Sequence, residues 1–215
     1  MTRNSLKSIR VDQVGSLVPT PELRAVFGRF KQGQATAAEL AIAQDAAIRE
    51  AIERQQSIGM PVVTDGELRR QNFQESFGAA VSGFDVSQSV RQDFRPSAER
   101  RPLQRAEQDF EAAGPAIYSR RAVVERLKLV NNVPLAEYEA ASAVAKAPLK
   151  VTVLSADRIA QRFAYEDARS KAVYSDIDAF LADVVAINRQ IVRSLVDVGC
   201  RYIQIDAPGY TALRR

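Results

Sequence analysis

The sequence predicts an α/β fold built on a parallel sheet or barrel, and two observations support this fold class. A long amphipathic helix, a glycine that stops it and a short apolar strand follow one another twice along the 215 residues. Both strands end in an aspartate, Asp65 in the first unit and Asp206 in the second. Helices that alternate with short apolar strands are typical of parallel sheets, whose strands are buried on both faces.

The first unit runs from a capped helix into a strand. Thr36 and Glu39 form a capping box, in which a hydroxyl and a carboxylate satisfy each other's free backbone N–H groups at a helix start. Apolar residues then recur at spacings of three and four, which predicts a helix over 37–58 that Gly59 stops. The β-branched run that follows predicts a strand over 60–65.

The second unit repeats this pattern near the end of the chain. Apolar residues from Phe180 to Val198 recur every three or four positions, and Gly199 follows them, so we predict a helix that ends there. The next residues predict a strand over 201–206. We interpret Cys200 as a small buried apolar residue without a catalytic or metal-binding role.

The rest of the chain contains further strands and helices and one segment without a clear period. The segment 79–121 is rich in Arg, Gln, Ser and Gly, and we interpret it as an excursion over the mouth of a barrel, for which a hairpin is one possible form. The other predicted elements are strands over 11–16 and 150–155 and helices over 21–29 and 134–146.

The composition excludes several classes of site. The chain has no histidine and a single cysteine, which excludes a Ser-His-Asp triad, a Cys-His dyad, a histidine-ligated zinc site and an internal disulfide within it. The 30 Lys and Arg residues are interleaved with 26 Asp and Glu residues, so we expect no nucleic-acid partner. The sequence contains no secretory signal and no apolar run of about 18 residues, so we expect no membrane contact and a cytoplasmic protein.

The candidate site lies where the predicted strands end, because the carboxyl ends of parallel strands open on one face. A glycine followed by a serine can offer backbone N–H groups and a hydroxyl to an anionic group. Paired carboxylates at a strand end suit an amino group or a proton transfer, and helix capping is the alternative interpretation of the same acids. The candidate residues are Gly15, Ser16, Asp65, Glu67, Ser155 and Asp206.

Four segments, taken in order, resemble a known family. They read VDQVGSLVPTPELR, IGMPVVTDGELRRQNFQESFGAAVSGFD, KVTVLSADRIAQRF and VGCRYIQIDAPGYTA, and they extend from Arg10 to Tyr210. Together they resemble the C-terminal catalytic barrel of the cobalamin-independent methionine synthase family and the short stand-alone relatives of that barrel. The resemblance implies a (β/α)8 TIM barrel, of which residues 1–215 form about the first half as a single partial domain.

The same resemblance implies an activity and its cofactor. The family transfers a methyl group from a donor of the 5-methyltetrahydrofolate type to the thiol of homocysteine, in methionine biosynthesis. Zinc activates the thiol as a thiolate, which is nucleophilic at neutral pH. A small-molecule thiol and a methyl donor are therefore the implied partners, and zinc is the implied cofactor. The family's zinc ligands lie in the second half of the barrel, so we expect no metal ligand within this chain.

The resemblance also assigns roles to individual residues. Gly15 and Ser16 match the segment that contacts the carboxylate of the amino acid. Glu67 and Asp206 match the acids that hold its amino group, and they are the implied catalytic residues. Two departures accompany these matches: Asp65 stands where the synthases have a histidine, and an alanine follows Asp206 where they commonly have a glutamate.

Two alternatives remain open at this point. Relatives of this barrel transfer other alkyl groups, such as an epoxide carbon, to small thiols of the coenzyme M kind, which require no acid for an amino group. A half-barrel without zinc ligands is also consistent with a binding module that has no catalytic activity. Because four of eight strands leave an open edge at each end, self-association or a partner chain that completes the barrel is a further expectation.

Overall fold

The computed structural model describes residues 11–70, 76–85, 90–93, 117–160 and 163–207. None of the helices within these ranges is long and apolar enough to span a membrane. The helices are α1 Pro21–Lys31, α2 Ala37–Ser57, α3 Ser76–Ala80, α4 Val133–Ser142, α5 Ala156–Ala160, α6 Ala168–Val173 and α7 Ile177–Asp197. The strands are β1 Val81–Phe84, β2 Val90–Asp93, β3 Ile117–Arg120, β4 Val123–Leu129, β5 Lys150–Leu154 and β6 Tyr202–Asp206.

The parallel part of the fold is centred on β5 and β6, which match the strands predicted over 150–155 and 201–206. Their register runs from Lys150 opposite Tyr202 to Leu154 opposite Asp206. Successive side chains of a strand point to opposite faces, so every second residue of the two strands shares one face of the sheet. Both strands therefore end at the same edge, as parallel strands in an α/β fold do.

Two further segments continue this layer on the far side of β5. Val63 makes a parallel bridge to Leu149. Beyond it, the N–H of Leu17 donates to the carbonyl of Gly66 at 2.9 Å. Four segments thus meet here: 11–16, which leads into Leu17, and the segments of the strands predicted over 60–65, 150–155 and 201–206, which lie side by side in chain order.

The first of these segments is not the strand that we predicted over 11–16. The Val14 carbonyl accepts a hydrogen bond from the side chain of Gln204 at 2.8 Å. The Gly15 carbonyl accepts one from the hydroxyl of Thr64 at 3.2 Å. Side chains from neighbouring segments therefore take the place of a backbone ladder here.

The strand predicted over 60–65 is reduced to the single bridge at Val63. Pro61 has no N–H to donate to a ladder. The N–H of Thr64 donates to the side-chain oxygen of Gln55 on α2, at 3.0 Å. The helix that precedes this segment thus occupies the backbone group that a longer strand would use.

The predicted helices are present, with small differences at their ends. In the capping box of α2, the N–H of Glu39 donates to the Thr36 hydroxyl at 3.1 Å, and the N–H of Thr36 donates to the Glu39 carboxylate at 2.7 Å. Gly59 and Gly199 follow the two long helices with φ of 77° and 92°. A left-handed turn of this kind favours glycine. The helix predicted over 134–146 ends earlier, at Ser142.

Two apolar clusters hold the layers together. The larger one packs α7 against the outer face of β5, and Phe163 stacks on Phe180 with ring centroids 3.9 Å apart. Cys200 belongs to this cluster and is 2% exposed, as a small apolar residue would be. The smaller cluster packs α1 and α2 around Val63. Helices therefore cover the outer face of β5 and the segment around Val63.

Antiparallel strands lie within the segment 79–121, which we predicted as an excursion, and directly after it. β1 pairs with β4, and β2 pairs with β3 between them, which nests the two pairs as one interrupted hairpin. At Gly83, which has a φ of 109°, an added Cβ would lie 2.7 Å from the carbonyl oxygen of Glu125. Glycine therefore permits the close pairing of β1 with β4. The position of 79–121 over a barrel mouth and the single partial domain over 1–215 stay predictions.

Candidate functional site

A tight turn after Val63 carries the acid at the centre of the candidate site. Gly66 and Glu67 both have left-handed backbones, with φ of 72° and 56°. The turn is fixed from within, because the N–H of Gly66 donates to the Thr64 hydroxyl at 3.1 Å and the N–H of Glu67 donates to the Asp65 carboxylate at 2.9 Å. A left-handed glutamate is disfavoured by about 1 kcal/mol or more, and such strain tends to cluster at functional sites.

The carboxylate of Glu67 lies among groups from two other segments. Its two oxygens accept hydrogen bonds from the hydroxyls of Ser16 and Thr152. The residue is 6% exposed. At Gly15, an added Cβ would lie 2.6 Å from Oε1 of Glu67, so the backbone passes directly against the carboxylate. The structure therefore brings together three of the predicted residues, Gly15, Ser16 and Glu67.

Arg70 forms an ion pair with this carboxylate. One of its terminal nitrogens lies 3.3 Å from Glu67 Oε1 and donates to the Thr152 hydroxyl at 3.1 Å. Its Nε and the other terminal nitrogen form a two-pronged ion pair with Glu137 of α4, at 2.9 and 2.6 Å. Burial by itself would lower the pKa of Arg70, but the hydrogen bonds and charge of Glu137 outweigh it and hold the pKa above its ordinary value. Arg70 is thus a permanent cation that links the turn, β5 and α4.

Asp65 lies in the same turn, two residues before Glu67, and accepts a hydrogen bond from the Glu67 N–H. Its Oδ2 is enclosed and has no hydrogen-bond partner among the described residues. Burial raises the pKa of Asp65 to about 6, and the negative charge of Glu137 adds to the rise. One oxygen of Asp65 thus fixes the Glu67 backbone. The burial of the carboxyl group, in which the other oxygen is enclosed, favours its protonated form.

Asp206 ends β6 and is held by its neighbour two residues earlier. The side-chain amide of Gln204 donates to Asp206 Oδ1 at 2.6 Å and to the Val14 carbonyl at 2.8 Å. The amide oxygen of Gln204 accepts from the ammonium of Lys150 at 2.8 Å. Asp206 is thereby connected to the segment that precedes Gly15.

Ser155 directly follows β5 and forms hydrogen bonds with backbone groups of two other residues. Its hydroxyl accepts a hydrogen bond from the N–H of Arg158 at 3.2 Å, which caps α5. Its own N–H donates to the carbonyl of Asp206 at 3.0 Å. The observed contacts of Ser155 therefore fasten the strand end that carries Asp206.

The sequence model described as the catalytic domain of cobalamin-independent synthases matches residues 11–129, which is more than half of the chain. The chain belongs to this family. The methionine synthase of Sulfolobus acidocaldarius is 26% identical over 196 residues, which cover 91% of this chain and 50% of that protein. The protein of Bacillus subtilis named "Uncharacterized protein YxjH" is 24% identical over 200 residues, which cover 92% of this chain and 47% of that protein.

A solved structure of this synthase family shares the fold. The B12-independent methionine synthase from Shewanella sp. W3-18-1, in complex with selenomethionine, superposes with a TM-score of 0.63 at 19% identity. The match covers 84% of this chain and 46% of the other. The chain thus spans about half the length of the relatives it matches. This likeness confirms the predicted fold class, a TIM-barrel-type α/β fold of which the chain covers a part.

The residues that the structure describes do not fit the zinc that the family resemblance implies. The sequence has no histidine, and its one cysteine is buried with its sulfur against the Tyr202 carbonyl at 3.6 Å. In the ranges that the structure describes, no group of three or more Cys, Asp or Glu residues is arranged to hold a metal ion.

Sequence reasoning missed the residues that hold the site acids in place. Polar residues at alternate positions of apolar β5 and β6 were a usable signal, because they place Lys150, Thr152 and Gln204 on the face shared with Asp206. Glu137 gave no such signal, since it lies in a short helix and meets Arg70 across 67 positions of sequence. Arg70 itself was visible only as a basic residue after the paired acids.

Proposed function

We propose that this chain supplies the amino-acid-binding half of a methionine synthase-like methyltransferase. The observation that carries the proposal is the convergence of Gly15, Ser16 and Glu67 at the carboxyl ends of the parallel segments. A buried carboxylate in a strained turn is retained there with two hydroxyls and the guanidinium of Arg70 around it. Such an arrangement is costly for folding alone and is suited to a polar ligand.

The substrate class follows from the charges at the two ends of this site. Glu67 and Asp206 suit the ammonium group of an amino acid, while the N–H groups and hydroxyl of Gly15 and Ser16 suit its carboxylate. The Ser16 hydroxyl now donates to Glu67. When it turns to a bound carboxylate, a lone pair of Glu67 becomes available to the ammonium. A zwitterionic amino thiol such as homocysteine satisfies both ends.

The reaction that this binding serves is methyl transfer to the thiol. The thiolate sulfur forms a bond to the methyl carbon while the carbon–nitrogen bond of a 5-methyltetrahydrofolate-type donor breaks. The donor nitrogen keeps the electron pair and takes up a proton. The residues of this chain bind and orient the amino thiol, and orientation of this kind lowers the barrier of a two-substrate reaction.

The Shewanella relative gives independent support for an amino-acid ligand. Its structure is a complex with selenomethionine, a selenium-containing amino acid with the same amino and carboxylate groups as homocysteine. Glu67 and Asp206 would be superfluous for a thiol without an amino group. Their joint presence therefore favours an amino thiol over a thiol of the coenzyme M kind.

Titration calorimetry of the purified chain with L-homocysteine tests this proposal. We expect Glu67→Gln to weaken binding by about 1.5–3 kcal/mol, or roughly 10- to 100-fold, because a charge-assisted hydrogen bond to the ammonium is lost. Binding of 4-mercaptobutanoate, which lacks the amino group, should change little. Glu53→Gln, on the exposed side of α2, is the matched control and should bind both compounds like the parent chain.

Two results would contradict the proposal in different ways. An unchanged affinity of the Glu67→Gln variant for L-homocysteine would remove Glu67 from the amino-group site. Equal affinity of the parent chain for L-homocysteine and 4-mercaptobutanoate would show that the chain does not recognise the amino group. A thiol without an amino group would then be the better candidate for the acceptor.

A further inference from the structure

We infer that Gln204 is a positioning residue that holds the two ends of the amino-acid site in a fixed position relative to each other. The inference rests on the proposed function and concerns a residue outside the groups that contact the ligand there. Gln204 lies on β6, two residues before Asp206, and reaches both Asp206 and the backbone before Gly15. A single side chain thus connects the proposed ammonium site with the proposed carboxylate site.

The orientation of the Gln204 amide is determined by its neighbours. The Lys150 ammonium can only donate hydrogen bonds, and it lies 2.8 Å from the amide oxygen of Gln204. Lys150 is 1% exposed and is held in turn by Asp12, at 3.2 Å, and by the Gln13 carbonyl. A buried cation fixed in this way forces the amide nitrogen of Gln204 to face the opposite direction.

Both hydrogens of that nitrogen are then used at the site. One goes to Oδ1 of Asp206 at 2.6 Å and the other to the Val14 carbonyl at 2.8 Å. Both of these acceptors lack a proton to offer, so a reversed amide would be repelled at two places. Lys150, Gln204 and the two acceptors therefore have one consistent arrangement.

The hydrogen bond to Val14 also orients the next N–H group. The Val14 carbonyl and the Gly15 N–H belong to one planar trans peptide group and point in opposite directions. Holding the carbonyl toward Gln204 therefore aims the Gly15 N–H away from Gln204. Gln204 thus fixes the direction of a carboxylate-binding N–H while it holds the ammonium-binding Asp206.

Such coupling provides specificity for the spacing of an α-amino acid. The amino and carboxylate groups of this ligand are attached to one carbon, so their separation is short and fixed. A site whose two ends are held by one rigid amide keeps a fixed separation before the ligand arrives, which is preorganisation. Without Gln204, each end would still contain its contact residues, but they would be free to move apart.

The test compares three ligands on the purified 215-residue chain by titration calorimetry. They are L-methionine, 4-(methylthio)butanoate without the amino group, and 3-(methylthio)propylamine without the carboxylate. The preference of the parent chain for L-methionine over each analogue measures what each end contributes. We expect Gln204→Met to reduce both preferences by about tenfold, since each end loses a hydrogen bond that orients a charged or polar group.

Control variants separate positioning from a general loss of structure. A merely structural defect would lower affinity for all three ligands in proportion and leave both preferences intact. Gln190→Met, on the exposed side of α7, should retain the preferences of the parent chain. Gln204→Glu keeps the shape and the Lys150 contact, and places a carboxylate against Asp206, so it carries the test if the methionine variant folds poorly.

The outcomes distinguish this inference from the proposed function. If the parent chain prefers L-methionine and both preferences persist in the Gln204 variants, the positioning role is wrong and the proposed function stands. If the parent chain shows no preference over either analogue, the amino-acid site itself is wrong, and the role of Gln204 falls with it.

Discussion

At the scale of single residues, the site is built from charges that the fold holds under strain. Glu67 has a left-handed backbone, and its N–H is fixed by Asp65. The second oxygen of Asp65 is enclosed and has no hydrogen-bond partner among the residues that the structure describes. An unpaired buried carboxylate oxygen destabilises the folded state. Natural proteins tolerate such losses at functional sites and compensate for them elsewhere.

Because the pKa of Asp65 is raised in the folded chain, the stability of the fold depends on pH. The pKa of Asp65 in the folded chain, about 6, lies above its ordinary value of 3.8, so the folded chain retains the proton over a window in which the unfolded chain has released it. The contribution of Asp65 to stability therefore falls as pH rises from about 4 to 6, and the loss is complete above pH 6. Its size is about 3 kcal/mol, because each pKa unit corresponds to about 1.4 kcal/mol.

We therefore expect Asp65→Asn to be more stable than the parent chain at pH 7.5, by about 2–3 kcal/mol. The asparagine keeps an oxygen for the Glu67 N–H and removes the buried charge. Urea unfolding at pH 4.5 and 7.5 measures the difference, which should shrink at the lower pH. Asp197→Asn, at the exposed end of α7, controls for the change in net charge. A pH-independent difference would show that the proton affinity of Asp65 is not its cause.

At the scale of elements, α4 is attached to the site turn by a buried ion pair. The side chains of Arg70 and Glu137 are 4% and 3% exposed and lie 2.6 Å apart at the closest atoms. Desolvation offsets much of the attraction in such a pair, whereas removing one partner leaves the other charge buried and uncompensated. The pair therefore acts mainly to fix α4 and the turn in one arrangement.

Removing a partner from this buried pair should destabilise the chain more than removing a partner from an exposed pair. We expect Glu137→Leu to lower the free energy of unfolding by about 3 kcal/mol, because the buried Arg70 guanidinium loses its two-pronged partner. Urea unfolding of this variant and of an exposed-pair control measures the difference. Glu166→Leu breaks an exposed pair with Lys171 and should change stability by less than about 1 kcal/mol. If Glu137→Leu changes stability no more than Glu166→Leu does, the burial of the Arg70–Glu137 pair is not what makes it important.

How far the sequence predicts these elements depends on how local their causes are. α2 and α7 follow from apolar spacing, and a capping box and a stopping glycine fix their ends, so both were predictable. Residues 11–16 look like a strand but bond to side chains from elsewhere in the chain, which no local pattern encodes. Among the site residues, Glu67 was found from its place after a strand. Glu137 was not, because its role depends on a contact with Arg70 across the fold.

At the scale of the whole molecule, the parallel layer has an uncovered side. Within the ranges that the structure describes, β6 pairs with β5 along one edge, and no strand lies along its other edge. Beside that edge an apolar groove of about 650 Å³ is lined by Val153, Val185, Val192 and Ile205, and Ile205 is 59% exposed. Unpaired strand edges and exposed apolar patches favour association with another chain.

We therefore expect the purified chain to self-associate through the β6 face. Sedimentation over about a hundredfold range of concentration should show a mass that rises above the 23.7 kDa of one chain, because association follows mass action. Ile205→Lys places a charge in the groove and should shift the mass toward the monomer. Val124→Lys, at a position of β4 that is 45% exposed, should leave the association unchanged. A parent chain that stays monomeric at every concentration would contradict self-association through the β6 face.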